Sequence, residues 1–150
     1  MRKIALLLHL LSLTLGAFIY LCFRSRDINV FRWLDGSFLE GPVDQIYRVC
    51  YPFKSQFPEW FIYSLPDGLW LFSFYCLMYL LWGERLFERK TIWVGGLGIL
   101  LIFFEFCQLF NWMRGTFDQK DLFFYILASI CIILIFYIPI KIKSNEQNST

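Results

Sequence analysis

Four long apolar runs, separated by polar segments, set out the plan of this chain. The first, 4–23, follows Arg2-Lys3 and is about 20 residues long, roughly 30 Å as a helix and enough for a full bilayer crossing. It is too long for a signal-peptide core. Ile19-Tyr20-Leu21 before Cys22 also lacks the small residues that a cleavage site requires, so an uncleaved first span is expected. The second run, 65–82, opens at Ser64-Leu-Pro-Asp67 and stops at Gly83-Glu84-Arg85. Ser64 is placed as its N-cap, Pro66 in its first turn and Asp67 at the third helical position. The third run, 91–110, carries Gly95, Gly96 and Gly98 near its start, small residues of the kind that let membrane helices approach closely. The fourth, 122–140, follows Asp118 at an expected N-cap and Asp121 at the third position, with Pro139 near its end.

The pattern predicts an all-α membrane protein. The expected architecture is one four-transmembrane-helix bundle over 1–143, followed by a disordered polar tail at 144–150. The polar stretch 24–63 is not low in complexity. Phe31, Trp33, Phe38, Tyr47 and Tyr51 alternate with charges, and Gly41-Pro42, Pro52 and Pro58 divide it into short pieces. That mixture predicts an ordered, aromatic-rich loop lying at the membrane interface between helices 1 and 2.

Composition narrows the possibilities further. With 58% hydrophobic residues gathered into membrane-length blocks, 150 residues cannot bury every apolar face as a soluble domain would. A net charge of +2 without a basic tract argues against nucleic acid as a partner. Of the 14 basic residues, Arg2, Lys3, Arg85, Arg89, Lys90, Lys141 and Lys143 fall on the side of the termini and the other seven on the opposite side. The first group is packed against helix ends, which points to cytoplasmic termini in a multi-pass protein of the cell membrane. Five cysteines show no C-x-x-C spacing, and the lone His9 has no ligand neighbour in sequence, so zinc is not indicated. Cys22 and Cys50 would be placed to pair if their side of the membrane is oxidising.

Candidate chemistry gathers in Glu105–Asp121. Glu105 and Gln108 are three apart, hence on one helical face, and Glu105 lies roughly 8 Å inside its helix end. A carboxylate there costs a few kcal/mol against lipid, so it should face the bundle. Arg114 occupies the following turn and carries a planar guanidinium suited to a carboxylate or phosphate. Topology brings Asp67, Asp118 and Asp121 to the same end. Capping accounts for each Asp singly, but not for Glu105, which is also open to a structural reading as half of a Glu–Gln packing bond.

The order Glu105-x-x-Gln108, then Arg114-Gly-Thr-Phe-Asp118-x-x-Asp121-Leu, resembles the signature of VanZ-like membrane proteins, a family named for a teicoplanin-resistance protein. The resemblance covers about 60–140. It departs at Tyr125, where the family usually has Asn, at Ala128 or Ser129 in place of a Gly, and at Gly68, where Lys is common. The resemblance implies a cell-envelope role connected with glycopeptide tolerance. The residues by themselves imply only a polar pocket within the membrane. Taken with the resemblance, the expected function is an envelope protein whose pocket opens near the outer leaflet and binds or processes a lipid or lipid-linked envelope intermediate. As an enzyme, such a protein would use Glu105 as general base or acid. Arg114 would hold an anionic headgroup, while Asp118 and Asp121 would orient it or hold a divalent metal. The competing class is a scaffold or partner subunit whose polar cluster clamps helices together. A small proton-coupled transporter, oligomeric because of its size, comes third. Homo- or hetero-oligomers fit all three. The sequence specifies no cofactor and does not decide whether the chain is an enzyme.

Overall fold

The computed structural model describes residues 1–89, 91–113 and 116–142, and within them every side chain except those at 88, 89 and 91–94. The tail at 144–150, expected to be disordered, lies outside the described residues. The described residues are predominantly helical, with no strand among them. Four long helices, α1 (Arg2–Phe23), α5 (Ser64–Trp82), α7 (Thr91–Leu109) and α8 (Gln119–Ile132), are joined by the short α2 (Asn29–Leu34), α3 (Glu40–Cys50), α4 (Glu59–Ile62) and α6 (Arg85–Arg89). Three segments are long and apolar enough to cross a membrane: Arg2–Phe23, Glu59–Trp82 and Gln119–Ile142. Within α7 the fully described apolar stretch is the shorter Gly95–Leu109.

Helix α5 occupies the centre, with α1 along one side, α8 along another and α7 packed mainly on α8. Close approach depends on glycines. A Cβ at Gly16 would stand 2.7 Å from the Trp70 indole nitrogen, and one at Gly68 would stand 2.7 Å from the Phe124 Cβ. In α7 only Gly98 plays the expected role, lying under the Tyr75 hydroxyl, which is itself 3.1 Å from Ser129 Oγ. Gly96 meets no described atom within 4 Å, and Gly95 meets only Ile99 of its own helix, so the expectation for those two is corrected. The α1–α5 seam is tied through His9 Nδ1, 2.8 Å from Ser73 Oγ and 3.0 Å from the Ser73 carbonyl oxygen. The core between α5 and α8 holds Leu71, Tyr75, Tyr79, Ile132 and Phe136. On the outside, Leu7, Leu10, Leu11 and Phe18 of α1 are exposed, an apolar surface suited to lipid.

Two helix ends show how local sequence sets the frame. Ser64 is not the N-cap of α5. The cap position is Tyr63, in helical geometry, and its amide already donates to Glu59 O at 2.9 Å. The turn of α4 begins after Pro58 and leads straight into α5, so Ser64 falls inside the helix and is fully buried. At the far end Gly83 stops α5 with φ +59°, a conformation that suits a residue without a Cβ. Helix α8 widens into a π turn at Ile133–Tyr137, just ahead of Pro139. Proline lacks an N–H and its ring clashes with the carbonyl four residues back, here Ile135, so a widened turn relieves both problems.

The segment between α1 and α5 forms a cap of short helices built on aromatic contacts. Arg26 is paired with Asp44, and its guanidinium lies 4.5 Å from the Phe31 ring centre and 4.6 Å from that of Tyr47. Tyr47 stacks on Tyr51 at 4.6 Å, and Phe57 on Phe61 at 4.9 Å. Beneath them Ile19, Cys22, Phe23 and Ile62 are buried, with Cys50 packed against the group. Cys22 and Cys50 are both free thiols.

Candidate functional site

The C-terminal end of α1 and the N-terminal ends of α5 and α8 meet at one end of the bundle, together with the last turns of α7. Asp118 caps α8 as expected. Its φ of −125° and ψ of 118° are extended, and its Oδ1 accepts the Lys120 amide at 2.8 Å. Asp121 follows in the first turn, where the positive end of the helix dipole favours a carboxylate.

Glu105 is 5% exposed and points into the bundle. The Asp118 amide donates to its Oε2 at 3.4 Å, a long bond that links α7 to the start of α8. The carboxylates of Asp67, Glu105 and Asp121 are all within electrostatic reach of one another, and Asp118 is within reach of the last two. Gln108 is half-buried, and no hydrogen bond joins its side chain to Glu105 among the described residues. Arg114 lies outside the described residues.

Two further side chains join this group. Arg24, the first residue after α1, faces Asp67 and Asp121. Its guanidinium is held between aromatic rings, 4.7 Å from the Tyr63 centre and 5.4 Å from the Tyr20 centre. Tyr125, 7% exposed, faces Asp67, Asp121 and Glu105. Both carried a readable signal. Arg24 ends the first apolar run on the side to which Asp67 and Glu105 belong, and Tyr125 lies four residues after Asp121, hence on the same helical face.

The hydrogen bonding of this end is incomplete. Arg24 Nε, Ser64 Oγ and Asp121 Oδ1 are each buried without a well-formed hydrogen bond among the described residues, although the Ser64 hydroxyl lies near enough to the Asp121 carboxylate to interact with it. They are neighbours in space, since Asp121 interacts with both Ser64 and Arg24. Buried polar atoms are paired in the great majority of cases, so three exceptions at one place make this end the candidate site. Two of the three are donors and one is an acceptor. A metal is a poor match, because no three His, Cys, Asp or Glu side chains among the described residues converge to hold one. Asp118 Oδ1 is moreover engaged as a cap.

An apolar cleft of about 330 Å³ leads away from the polar group. Asp67 and Tyr125 stand in its wall, and Trp70, Leu71, Phe74, Leu97 and Leu101 complete it. No family model, no curated protein and no solved structure matches the chain.

Proposed function

We propose that the chain is a multi-pass protein of the cell membrane, with α7 as a fourth span, cytoplasmic termini and the Arg24–Asp67–Glu105–Asp121 end near the outer leaflet. Its function is to bind or process an amphiphile of the cell envelope, a membrane lipid or lipid-linked intermediate, in the manner of the VanZ-like proteins that its motif resembles. The observation that carries this reading is the trio of buried atoms without a well-formed hydrogen bond among the described residues, Arg24 Nε, Ser64 Oγ and Asp121 Oδ1, beside an apolar cleft.

A headgroup there would receive bonds from Arg24 and Ser64 and donate to the carboxylates. An acyl or prenyl chain would lie along Phe74, Leu97 and Leu101. The ring-held guanidinium of Arg24 is pre-oriented, so little side-chain freedom is lost when it takes up an anionic group. Glu105 is the side chain best placed to exchange a proton with such a headgroup, being buried and held by one long hydrogen bond among the described residues.

One observation favours the second reading, a helix clamp. The bond from the Asp118 amide to Glu105 ties α7 to α8 by itself. Isosteric replacement separates the two readings. Glu105→Gln keeps the volume and an oxygen to accept the Asp118 amide, so a clamp should survive it with a change in stability of about 1 kcal/mol or less. A ligand or proton-transfer site should not. The expected outcome is that Glu105→Gln and Arg24→Gln abolish the phenotype seen on deletion of the protein while abundance and detergent melting stay near wild type. Arg114→Gln is expected to behave likewise. Full function in both the Glu105 and Arg24 variants would decide for the clamp.

A further inference from the structure

A second and roomier hollow, of about 850 Å³, lies at the opposite end of the same helices. Its walls are the start of α1 at Arg2, the end of α5 from Tyr79 to Gly83, the turn at Glu84-Arg85, and Pro139-Ile140. We propose that this hollow is a binding site for a phosphate-bearing anion, with the headgroup of an anionic membrane phospholipid as its occupant.

The charge at this end differs from that at the carboxylate end. The described side chains here include Arg2, Lys3, Arg85 and Lys141 against the single acid Glu84. Arg2 and Arg85 both line the hollow, and neither has an ion-pair partner among the described residues. Arg2 lies against the end of α5. Its Nη2 would stand 3.3 Å from a Cβ built on Gly83, so the guanidinium rests on the backbone where α5 ends. It is also within electrostatic reach of the Tyr79 phenol, which is 2% exposed and is reached in turn by Glu84. Helix α1 has no acidic residue in its first turn and no side-chain cap, so its first amides add partial positive charge.

Two guanidiniums that offer planar pairs of donors match phosphate oxygens better than point charges would. An aromatic wall at Tyr79 and Trp82 suits the depth at which a lipid headgroup meets its chains. Basic pockets between helix ends on the cytoplasmic face are where anionic headgroups concentrate. This site is independent of the one proposed at the carboxylate end, sharing no residue with it.

The test uses the full chain in micelles of a neutral detergent, where no bilayer surface potential contributes. Native mass spectrometry counts adducts with phosphatidylglycerol or phosphatidylcholine, and inorganic phosphate is supplied as a separate probe. Wild type should favour phosphatidylglycerol by about tenfold or more. The double variant Arg2→Gln/Arg85→Gln should lose that preference. Lys3→Gln/Lys141→Gln, which removes the same charge outside the hollow, should keep it. Glu84→Gln should strengthen it, giving a readout of opposite sign that does not depend on losing an arginine. Phosphate binding by wild type but not by the arginine variant, with no lipid preference, would support the anion site and assign it to a soluble ligand. Equal loss in both double variants, or no preference in wild type for either probe, would overturn the proposal.

Discussion

The tightest contact between α5 and α8 lies at Gly68, one residue past Asp67, and it makes the sharpest stability prediction. In Gly68→Ala the new Cβ would be 2.7 Å from the Phe124 Cβ and 3.2 Å from its carbonyl oxygen, whereas ordinary contact begins at 3.4 Å. The shortfall is about 0.7 Å at the Cβ and about 0.2 Å at the carbonyl oxygen, both fixed to the Phe124 backbone, so no rotamer change relieves it. The helices must part, and overpacking of this kind costs about 1–3 kcal/mol. Replacing a helical glycine by alanine also gains up to about 1 kcal/mol in propensity, which would mask part of that cost. Gly96→Ala supplies the correction, because its Cβ would meet no described atom within 4 Å while its propensity gain is the same. The stability difference between the two variants therefore isolates the clash, at about 1–3 kcal/mol in favour of Gly96→Ala. Equilibrium unfolding in mixed micelles with rising dodecyl sulfate, followed by circular dichroism, measures it. Equal stability of the two variants would refute the close α5–α8 seam, and with it the packing that sets Asp67 beside Asp121.

Other expectations follow from single contacts. Asp118→Ala should destabilise by about 1 kcal/mol through loss of its bond to the Lys120 amide, while Asp118→Asn, an equally good cap, should unfold like wild type. A functional defect in a stable Asp118→Asn protein would place that carboxylate in the site. Ser73→Ala removes the hydroxyl beside His9 but leaves the Ser73 carbonyl 3.0 Å from Nδ1, so a cost of about 0.5–1.5 kcal/mol is expected in the same unfolding assay. In the cap, burial raises the Tyr47 phenol above its usual 10.0, its contact with Tyr51 adds to this, and Arg26 opposes it. A raised value means that folding favours the neutral phenol, so this contribution is complete below pH 10 and is lost as pH climbs through the folded value. Near-ultraviolet circular dichroism should show the cap loosening in that alkaline window, and Tyr47→Phe should lessen the change. An identical alkaline transition in Tyr47→Phe would assign it to another group.

The long helices were legible because bilayer-length apolarity is a one-dimensional signal. The runs at 4–23, 65–82, 91–110 and 122–140 appear as helices with bounds shifted by a few residues. What the sequence pattern misplaced depended on neighbours in space or on chain conformation just upstream. Ser64 has the chemistry of a cap, but the turn after Pro58 already supplies helical carbonyls, so the hydroxyl is instead buried without a well-formed hydrogen bond among the described residues. Gly95, Gly96 and Gly98 look alike in sequence, and only the rotational setting of α7 decides that Gly98 faces Tyr75 and Ser129. In the candidate site, Asp67, Glu105, Asp118 and Asp121 could be grouped from topology alone. Arg24 shares that side of the bundle, but its contact with the group comes from the docking of α1 on α5 and from the rings of Tyr20 and Tyr63, which the sequence does not place. Tyr125 stood out first as a departure from a motif, and its place against three carboxylates emerges only from the packing of α8.

The proposed function requires that the polar end and its cleft hold an amphiphile. The direct measurement is mass spectrometry of lipids retained by the protein when it is extracted from its native membrane, compared with bulk lipids of that membrane. Leu101→Trp serves as the variant that fills the cleft and Glu105→Gln as the one that alters the headgroup end. One amphiphile should be enriched about tenfold or more in wild type and lost in both variants, with all three proteins folded. Retained lipid that matches the bulk membrane in wild type, or an enriched species equally present in both variants, would contradict the proposed function.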